Sequence, residues 1–271
     1  MSIKASLRRI CPPCLQKIAQ TMFRKERLTI HSVDAVVNPG KMKYFCPCCG
    51  LRMRGFVHAD YLDAEHFNPD RYKNTRQDVL CPACMSLPRH RILAAWVDEH
   101  KDILKNRRIL YFAPEYSMAL WLKRNGVKHT TADLFNDADF KLDIQETRLP
   151  DNSYDVVICN HVLEHVKDFR QALYEVYRLL DHDGAFICSF PMDINIDTVD
   201  EDVGLTDEEC YKRFGQYDHK RVFGANSDRL LEEAGFSVEK ISGKEYPEEI
   251  LPIVGPADYD MNILFCCKKI C

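Results

Sequence analysis

The sequence predicts an α/β protein, a mostly parallel sheet with helices on both faces, preceded by a small N-terminal module built on cysteine pairs. Three observations predict it. From Arg89 to the end, short apolar runs alternate with helical patterns, as crossover helices joining parallel strands require. Two Cys-x-x-Cys pairs, Cys46-Pro-Cys-Cys49 and Cys81-Pro-Ala-Cys84, lie ahead of that stretch with 31 residues between them. Polar residues recur where the apolar runs end, at Glu115, Asp133, Asp143 and Asn160-His161.

A chain of 271 residues is long enough for one large α/β domain and a small accessory module. At 46% hydrophobic and 29% charged, it reads as globular and not disordered. No apolar run approaches the roughly 18 residues of a membrane span. Met1 to Leu28 has scattered charges and no small-residue cleavage site, which argues against a secretory signal, so a cytoplasmic location is expected. Thirteen cysteines in such a compartment point through their Cys-x-x-Cys pairs to metal more than to disulfides. The net charge of -4 conceals an asymmetry: residues 1–108 hold 20 Lys+Arg against 10 Asp+Glu, the remainder 17 against 31. A basic front half suits either phosphates or a plain solvated face.

Three stretches follow in order. Residues 1–41 read as a basic helical extension, with Leu15 to Leu28 amphipathic and Pro12-Pro13 interrupting. Residues 42–88 hold both strong cysteine pairs and little periodicity. Residues 89–271 carry the α/β pattern. There, Ile92 to Leu104 reads as a helix, Arg108 to Ala113 as a first strand, and Tyr116 to Asn125 as a helix. A second strand ends near Asp133 and a short third near Asp143. Tyr154 to Cys159 is a buried strand, and Val162, Val166, Phe169, Leu173, Val176 and Leu180 share one helical face. Asp183-Gly184 turns into the strand Ala185 to Phe190. A helix near Ser227 to Ala234 stops at Gly235, and Phe236 to Ile241 and Met261 to Cys267 close the sheet.

The cysteine spacing is that of a zinc site. Two Cys-x-x-Cys turns bring four thiolates onto one tetrahedral ion, so Cys46, Cys49, Cys81 and Cys84 are the predicted ligands. Four cysteine ligands leave no open position, which makes the zinc structural. Cys48 reads as a bystander or a substitute for Cys49. Cys11-Pro-Pro-Cys14 has the same spacing, but a lone pair cannot complete a shell.

The strand-end residues predict a ligand site, because open α/β sheets bind beyond the carboxyl ends of their strands. They also carry a resemblance. Leu149-Pro-Asp-Asn-Ser-Tyr-Asp-Val-Val-Ile-Cys-Asn-His-Val-Leu-Glu-His-Val166 is similar to the fourth-strand segment of class I S-adenosylmethionine-dependent methyltransferases, whose fold is Rossmann-like. Leu-Asp-His-Asp-Gly-Ala-Phe-Ile from Leu180 resembles their turn into the fifth strand. The cysteine pairs followed by Ser86-Leu-Pro-Arg-His-Arg91 resemble a subset with a zinc-ribbon-like N-terminal module. The similarity spans roughly residues 44–240. It implies that Asp133, followed by Leu134, holds the cofactor's ribose, that Asp143 and Ile144 flank its adenine, and that Asn160 lies near its methionine part. The family's glycine-rich first loop is replaced by Tyr111-Phe-Ala-Pro-Glu-Tyr-Ser117. Tyr111 stands at the usual acidic position, Ala113, Glu115 and Ser117 stand where glycines belong, and Pro114 lies between; Glu115 is a candidate partner for the cofactor's positive charge.

Methyl transfer is an in-line displacement at a carbon that sulfonium has already activated, so alignment of nucleophile and methyl is the protein's main task. Where a proton must also leave, the candidate bases are His219, Asp218, His161 and His165. Arg221 either steers an anionic acceptor or satisfies loop partners. The leading expectation is therefore a methyltransferase acting on a small molecule or glycan. A nucleic-acid methyltransferase that grips phosphates with the basic module is less favoured by the overall negative charge. The third alternative is a non-catalytic, zinc-stabilised binding protein with a vestigial cofactor pocket. The oligomeric state is left open.

Overall fold

The computed structural model describes residues 26, 29–57, 78–250 and 262–270. Most of the predicted basic extension, with Cys11 and Cys14, lies outside the described residues; within them, 29–37 is helical. Strands β1 (Tyr44–Cys46) and β2 (Leu51–Met53) form an antiparallel hairpin. Then come helix α1 (Pro88–Glu99), β3 (Ile109–Phe112), α2 (Tyr116–Arg124), β4 (Thr130–Ala132), β5 (Tyr154–Asn160), α3 (Phe169–Leu179) and β6 (Leu180–Ser189). Short strands β7 (Met192–Asp193) and β8 (Val199–Glu201) precede α4 (Asp207–Phe214), β9 (Arg221–Gly224), α5 (Asp228–Glu233), β10 (Phe236–Ser242) and β11 (Ile263–Lys269).

The main sheet runs β10-β11-β6-β5-β3-β4. β4, β3, β5 and β6 are mutually parallel; β11 lies antiparallel between β6 and β10. Side-chain alternation sorts its two faces. Ile109, Tyr111, Val156, Ile158, Ala185 and Ile187 pack with α1 and α2, whereas Leu110, Phe112, Val157, Cys159, Phe186 and Cys188 pack with α3. Both faces being covered explains why the central strands read as unbroken apolar runs and not as alternating ones. The Rossmann-like sheet with helices on both faces is the predicted fold.

Three details differ from expectation. The short third strand near Asp143 is reduced to isolated bridges, Ala132 with Phe140 and Asp143 with Glu146, because Asp143 and Gln145 bond locally instead of extending a ladder. The helix expected from Val162 starts only at Phe169, where the Asp168 carboxylate accepts from Arg170 N and Gln171 N and caps it. Residues 163–167 form a turn and a bend. Strand β9 joins β7 and β8 in a second, three-stranded sheet. Helix α1 also begins a turn before the predicted Ile92, with Pro88 at its first turn, where a missing N–H costs nothing.

An ion-pair network ties α3 to the segment before β5. Glu175 accepts from Arg178 Nη2 (2.9 Å) and Nε (3.0 Å) and from Thr147 Oγ1 (2.8 Å) and N (3.1 Å). The Arg178 guanidinium, with Thr147 adding to it and burial opposing, holds the Glu175 carboxyl down to about 2. Because the folded value is depressed, the stabilisation is fully present above the ordinary carboxylate range near 4.5 and is lost as pH falls through it toward 2. Glu175→Gln should therefore remove an acid-sensitive part of the stability worth at most about 3 kcal/mol. The expected result is a urea midpoint that falls more steeply between pH 5 and pH 3 in the wild type than in the variant; parallel curves would refute it.

Candidate functional site

Both cysteine turns close in the same way. Gly50 N donates to Cys46 O (2.7 Å) and Met85 N to Cys81 O (2.9 Å). The residue after each second cysteine takes a left-handed conformation, Gly50 at φ +72 and Met85 at +63. Gly50 also has no room for a side chain, since a Cβ would meet the Arg124 guanidinium at 2.1 Å. An antiparallel bridge, Val57 with Leu80, joins the two halves. The four thiols converge: Cys46 Sγ lies 3.6 Å from Cys84 Sγ, Cys49 Sγ lies 3.9 Å from Cys81 Sγ, and all four fall within 4.8 Å of one another. A tetrahedral ion with Zn–S bonds of about 2.3 Å has sulfur–sulfur edges of about 3.8 Å. The donor set and its spacing fit zinc. Cys48 points elsewhere, toward His90 O (3.4 Å), and stays the bystander.

This module is not separate from the sheet. Its cysteines, Met53 and Phe56 belong to the same continuous core as α1, α2 and one sheet face. Arg91 of α1 is fully buried; it donates to Val79 O, Ser86 O and Ile250 O and places its guanidinium 3.9 Å over the Phe56 ring. Arg124 of α2 donates to Cys48 O (3.0 Å).

At the carboxyl ends of the parallel strands the loop after β3 is tightly held. Ala113, at a position where the resemblance expects glycine, adopts φ +45, a strained value for a residue with a Cβ. Tyr111 is buried, and its hydroxyl accepts from Glu115 N (3.1 Å). Pro114 is half-buried and Ser117 is buried in α2. Glu115 Oε1 accepts from Arg89 Nη2 (2.6 Å) and lies 2.7 Å from His90 Nε2, while Oε2 is buried without a hydrogen-bond partner. Burial disfavours the Glu115 carboxylate, but Arg89 and His90 outweigh it and hold its pKa far below the ordinary range. Leu87 N donates to His90 Nδ1 (2.9 Å), which leaves the Nε2 side of the ring for Glu115. Sequence reading missed Arg89 and His90 as partners of this loop. Their only signal was their place in the Ser86–Arg91 segment, in the first turn of a helix.

The two strand-end aspartates are turned into their own loops. Asp133 Oδ1 accepts from Phe135 N (2.7 Å) and Asn136 N (2.6 Å), leaving Leu134 and Phe135 exposed. Asp143 Oδ1 accepts from Gln145 N (2.8 Å) beside a buried Ile144. Gln145 in turn accepts from Asp168 N (2.7 Å), linking this turn to the start of α3. Asn160 is buried at the end of β5 and accepts from Ser189 Oγ of β6 (3.0 Å).

Beyond Asn160 the turn carries chemistry. His161 has φ +52, and backbone strain of this kind clusters at functional sites. Glu164 is fully buried. Burial opposes its ionisation, but His161, His165 and His219 outweigh it and hold the carboxyl at about 2. Burial also opposes protonation of His165, yet Asp218, its Oδ2 3.1 Å from Nδ1, and Glu164 raise it to about 9. His219 is buried and packs edge-on against His165 with ring centroids 4.8 Å apart; burial lowers it to about 4. The other three candidate bases thus meet His165, Glu164 or both, and Glu164, absent from the predicted set, sits among them. The pattern His161-x-x-Glu164-His165 inside an apolar run was the signal that could have found it.

The possible steering role of Arg221 is corrected. Arg221 is fully buried, and its guanidinium donates to Leu163 O (2.5 Å), Val166 O (2.6 Å), Lys167 O (2.9 Å) and Glu201 Oε2 (3.3 Å). It satisfies the turn between β5 and α3 and does not reach an acceptor, so the anionic character inferred from it loses its support.

Comparison with known proteins bears on the same region. Residues 114–188 match the family model of the methyltransferase domain. This segment of the chain is similar to a methyltransferase domain. No curated relative matches the chain. Solved structures similar to it include a 1,6-didemethyltoxoflavin-N1-methyltransferase of Burkholderia thailandensis bound to 1,6-didemethyltoxoflavin and S-adenosylhomocysteine, at 16% identity and TM-score 0.48, covering 68% of this chain and 79% of that one. Another is a SAM-dependent methyltransferase from Archaeoglobus fulgidus, at 16% identity and TM-score 0.45, covering 66% of this chain and 94% of that one. No helix among the described residues is long and apolar enough to cross a membrane.

Proposed function

We propose that the chain is an S-adenosylmethionine-dependent methyltransferase of the cytoplasm that acts on a small-molecule or glycan acceptor by in-line methyl transfer. The observation that carries this reading is the methyltransferase domain match at residues 114–188, which runs from the loop after β3 through β6. Glu115, Asp133 and Asn160 lie at or just beyond the carboxyl ends of β3, β4 and β5, where open α/β sheets bind ligands. The cofactor supplies an activated methyl group. Asp133 would accept from the ribose hydroxyls with Oδ2, exchanging its bond from Asn136 Nδ2 (3.1 Å) for theirs, and Leu134 would cover one side of the nucleoside. Asp143 and Ile144 would flank the adenine. Tyr111, Ala113, Pro114, Glu115, Asn160 and Ser117 would form the wall near the methionine part, with Glu115 Oε2 free for a cationic group. His219, His161 and Asp218 stand on the acceptor side. Zinc held by Cys46, Cys49, Cys81 and Cys84 would be structural, since four thiolates close its shell.

A second reading has a specific observation behind it. Asp133 and Asp143 are satisfied in their own turns and Glu115 Oε1 is engaged by Arg89, as a binding protein with a vestigial pocket would have them. Calorimetry with S-adenosylhomocysteine separates the two. The methyltransferase reading expects binding in the range of roughly 1 µM to 1 mM, weakened about 10-fold or more in Asp133→Ala as a charge-assisted hydrogen bond is lost. No detectable binding would leave the second reading standing.

A further inference from the structure

Besides the cysteines, one other group of metal-ligating side chains converges among the described residues: Glu164, His165 and His219, with one donor atom from each lying within 4.8 Å of the others. Glu164 is fully buried, and neither of its carboxylate oxygens has a hydrogen-bond partner. The nearest groups to Oε1 are His161 Nδ1 at 3.2 Å and His165 Nε2 at 3.7 Å. His219 is 1% exposed and its Nδ1 is likewise buried without a partner. A buried carboxylate with two unused oxygens beside a buried imidazole with an unused nitrogen is a costly arrangement unless a cation fills it.

We propose that Glu164, His165 and His219 bind a divalent transition-metal ion, separate from the four-cysteine zinc. Two imidazoles and a carboxylate form a mixed nitrogen–oxygen donor set suited to zinc, iron(II) or cobalt(II), and three protein ligands leave positions open for water or an acceptor oxygen. Bound donors around such an ion stand about 3.0–3.5 Å apart, so the observed spacing needs only a small contraction. The surroundings are those of a metal-bound histidine. Asp218 Oδ2 lies 3.1 Å from His165 Nδ1, which turns Nε2 toward Glu164, as carboxylates behind metal-ligating histidines do. The two ligand-bearing segments are also fixed to each other, since Lys220 N donates to Glu164 O (2.8 Å) and Arg221 donates to the carbonyls on either side. His165 and His161 keep partial exposure, so the open positions face outward.

The test uses the full chain with zinc on its cysteines, titrated with cobalt(II) and followed by visible absorption and by the shift in melting temperature. One equivalent should bind with weak d–d bands and without the intense thiolate-to-cobalt bands of a cysteine site, and it should raise the melting temperature. Glu164→Gln and His219→Asn should abolish this uptake. His165→Asn, at a partly exposed position that does not threaten folding, should weaken it more than 10-fold, and Asp218→Asn about 10-fold. No uptake by the wild type, or unchanged uptake in His165→Asn, overturns the proposal. Cobalt binding without S-adenosylhomocysteine binding would support the metal site while refuting the cofactor reading, so the two fail separately.

Discussion

Cys81→Ser is expected to abolish zinc binding at the proposed four-cysteine site and to unfold the cysteine module, with a loss of stability comparable to that of a whole domain. Structural zinc contributes apparent binding free energies of about 10–16 kcal/mol in small model domains, whereas a folded domain is stable by only about 5–15 kcal/mol. The damage should not stay local. The module's Cys46, Cys84, Met53 and Phe56 complete the core that α1 and α2 share with the sheet. Its loops are held by Arg91 and Arg124, which would keep their buried or half-buried positions with fewer carbonyls to bond. The check is metal content by atomic emission together with thermal unfolding. Wild-type protein should carry zinc that survives dialysis, and cobalt substituted in its place should show thiolate charge-transfer bands that Cys81→Ser lacks. The melting temperature should fall by more than about 10 °C in the variant and equally in chelated wild type. Wild type without tightly bound metal, or a variant with unaltered melting, would refute the assignment.

Arg221→Ala is the second large effect, at about 3–5 kcal/mol, because it strands buried acceptors around a removed buried charge. Leu163 O, Val166 O and Lys167 O lose their donor, and the face of Phe169 loses the guanidinium 5.1 Å above it. Lysine cannot replace a planar fork that reaches three carbonyls and a carboxylate at once, so Arg221→Lys should recover less than half. Glu201→Gln weakens a half-exposed partner that Arg221 shares with Arg170 (2.6 Å) and should cost about 1 kcal/mol or less. Urea midpoints followed by circular dichroism give these differences. An Arg221→Ala chain within about 1 kcal/mol of wild type would show that the turn holds itself.

Much of the sheet was legible because its strands are buried on both faces and hence apolar at every position, as Ile109 to Phe112 and Val156 to Cys159 are. Helix starts were harder. Val162 and Val166 continue the apolar stripe of α3 backward by periodicity, but Asp168 caps the helix and Arg221, more than fifty residues on, gathers the carbonyls that a longer helix would have used. The third strand failed for a similar local reason, an aspartate that bonds its own turn.

By itself the sequence determined the α/β order, the two Cys-x-x-Cys turns and the strand-end positions, since each depends on short-range spacing: alternation, the turn between paired cysteines and the residue that follows an apolar run. Tertiary structure alone decided that Arg89 and His90 hold Glu115, that Arg221 is a buried brace, and that Glu164 is buried beside His165 and His219. Those are contacts between segments distant along the chain, and the electrostatics of a buried group depends on what the fold brings beside it and not on its neighbours in sequence.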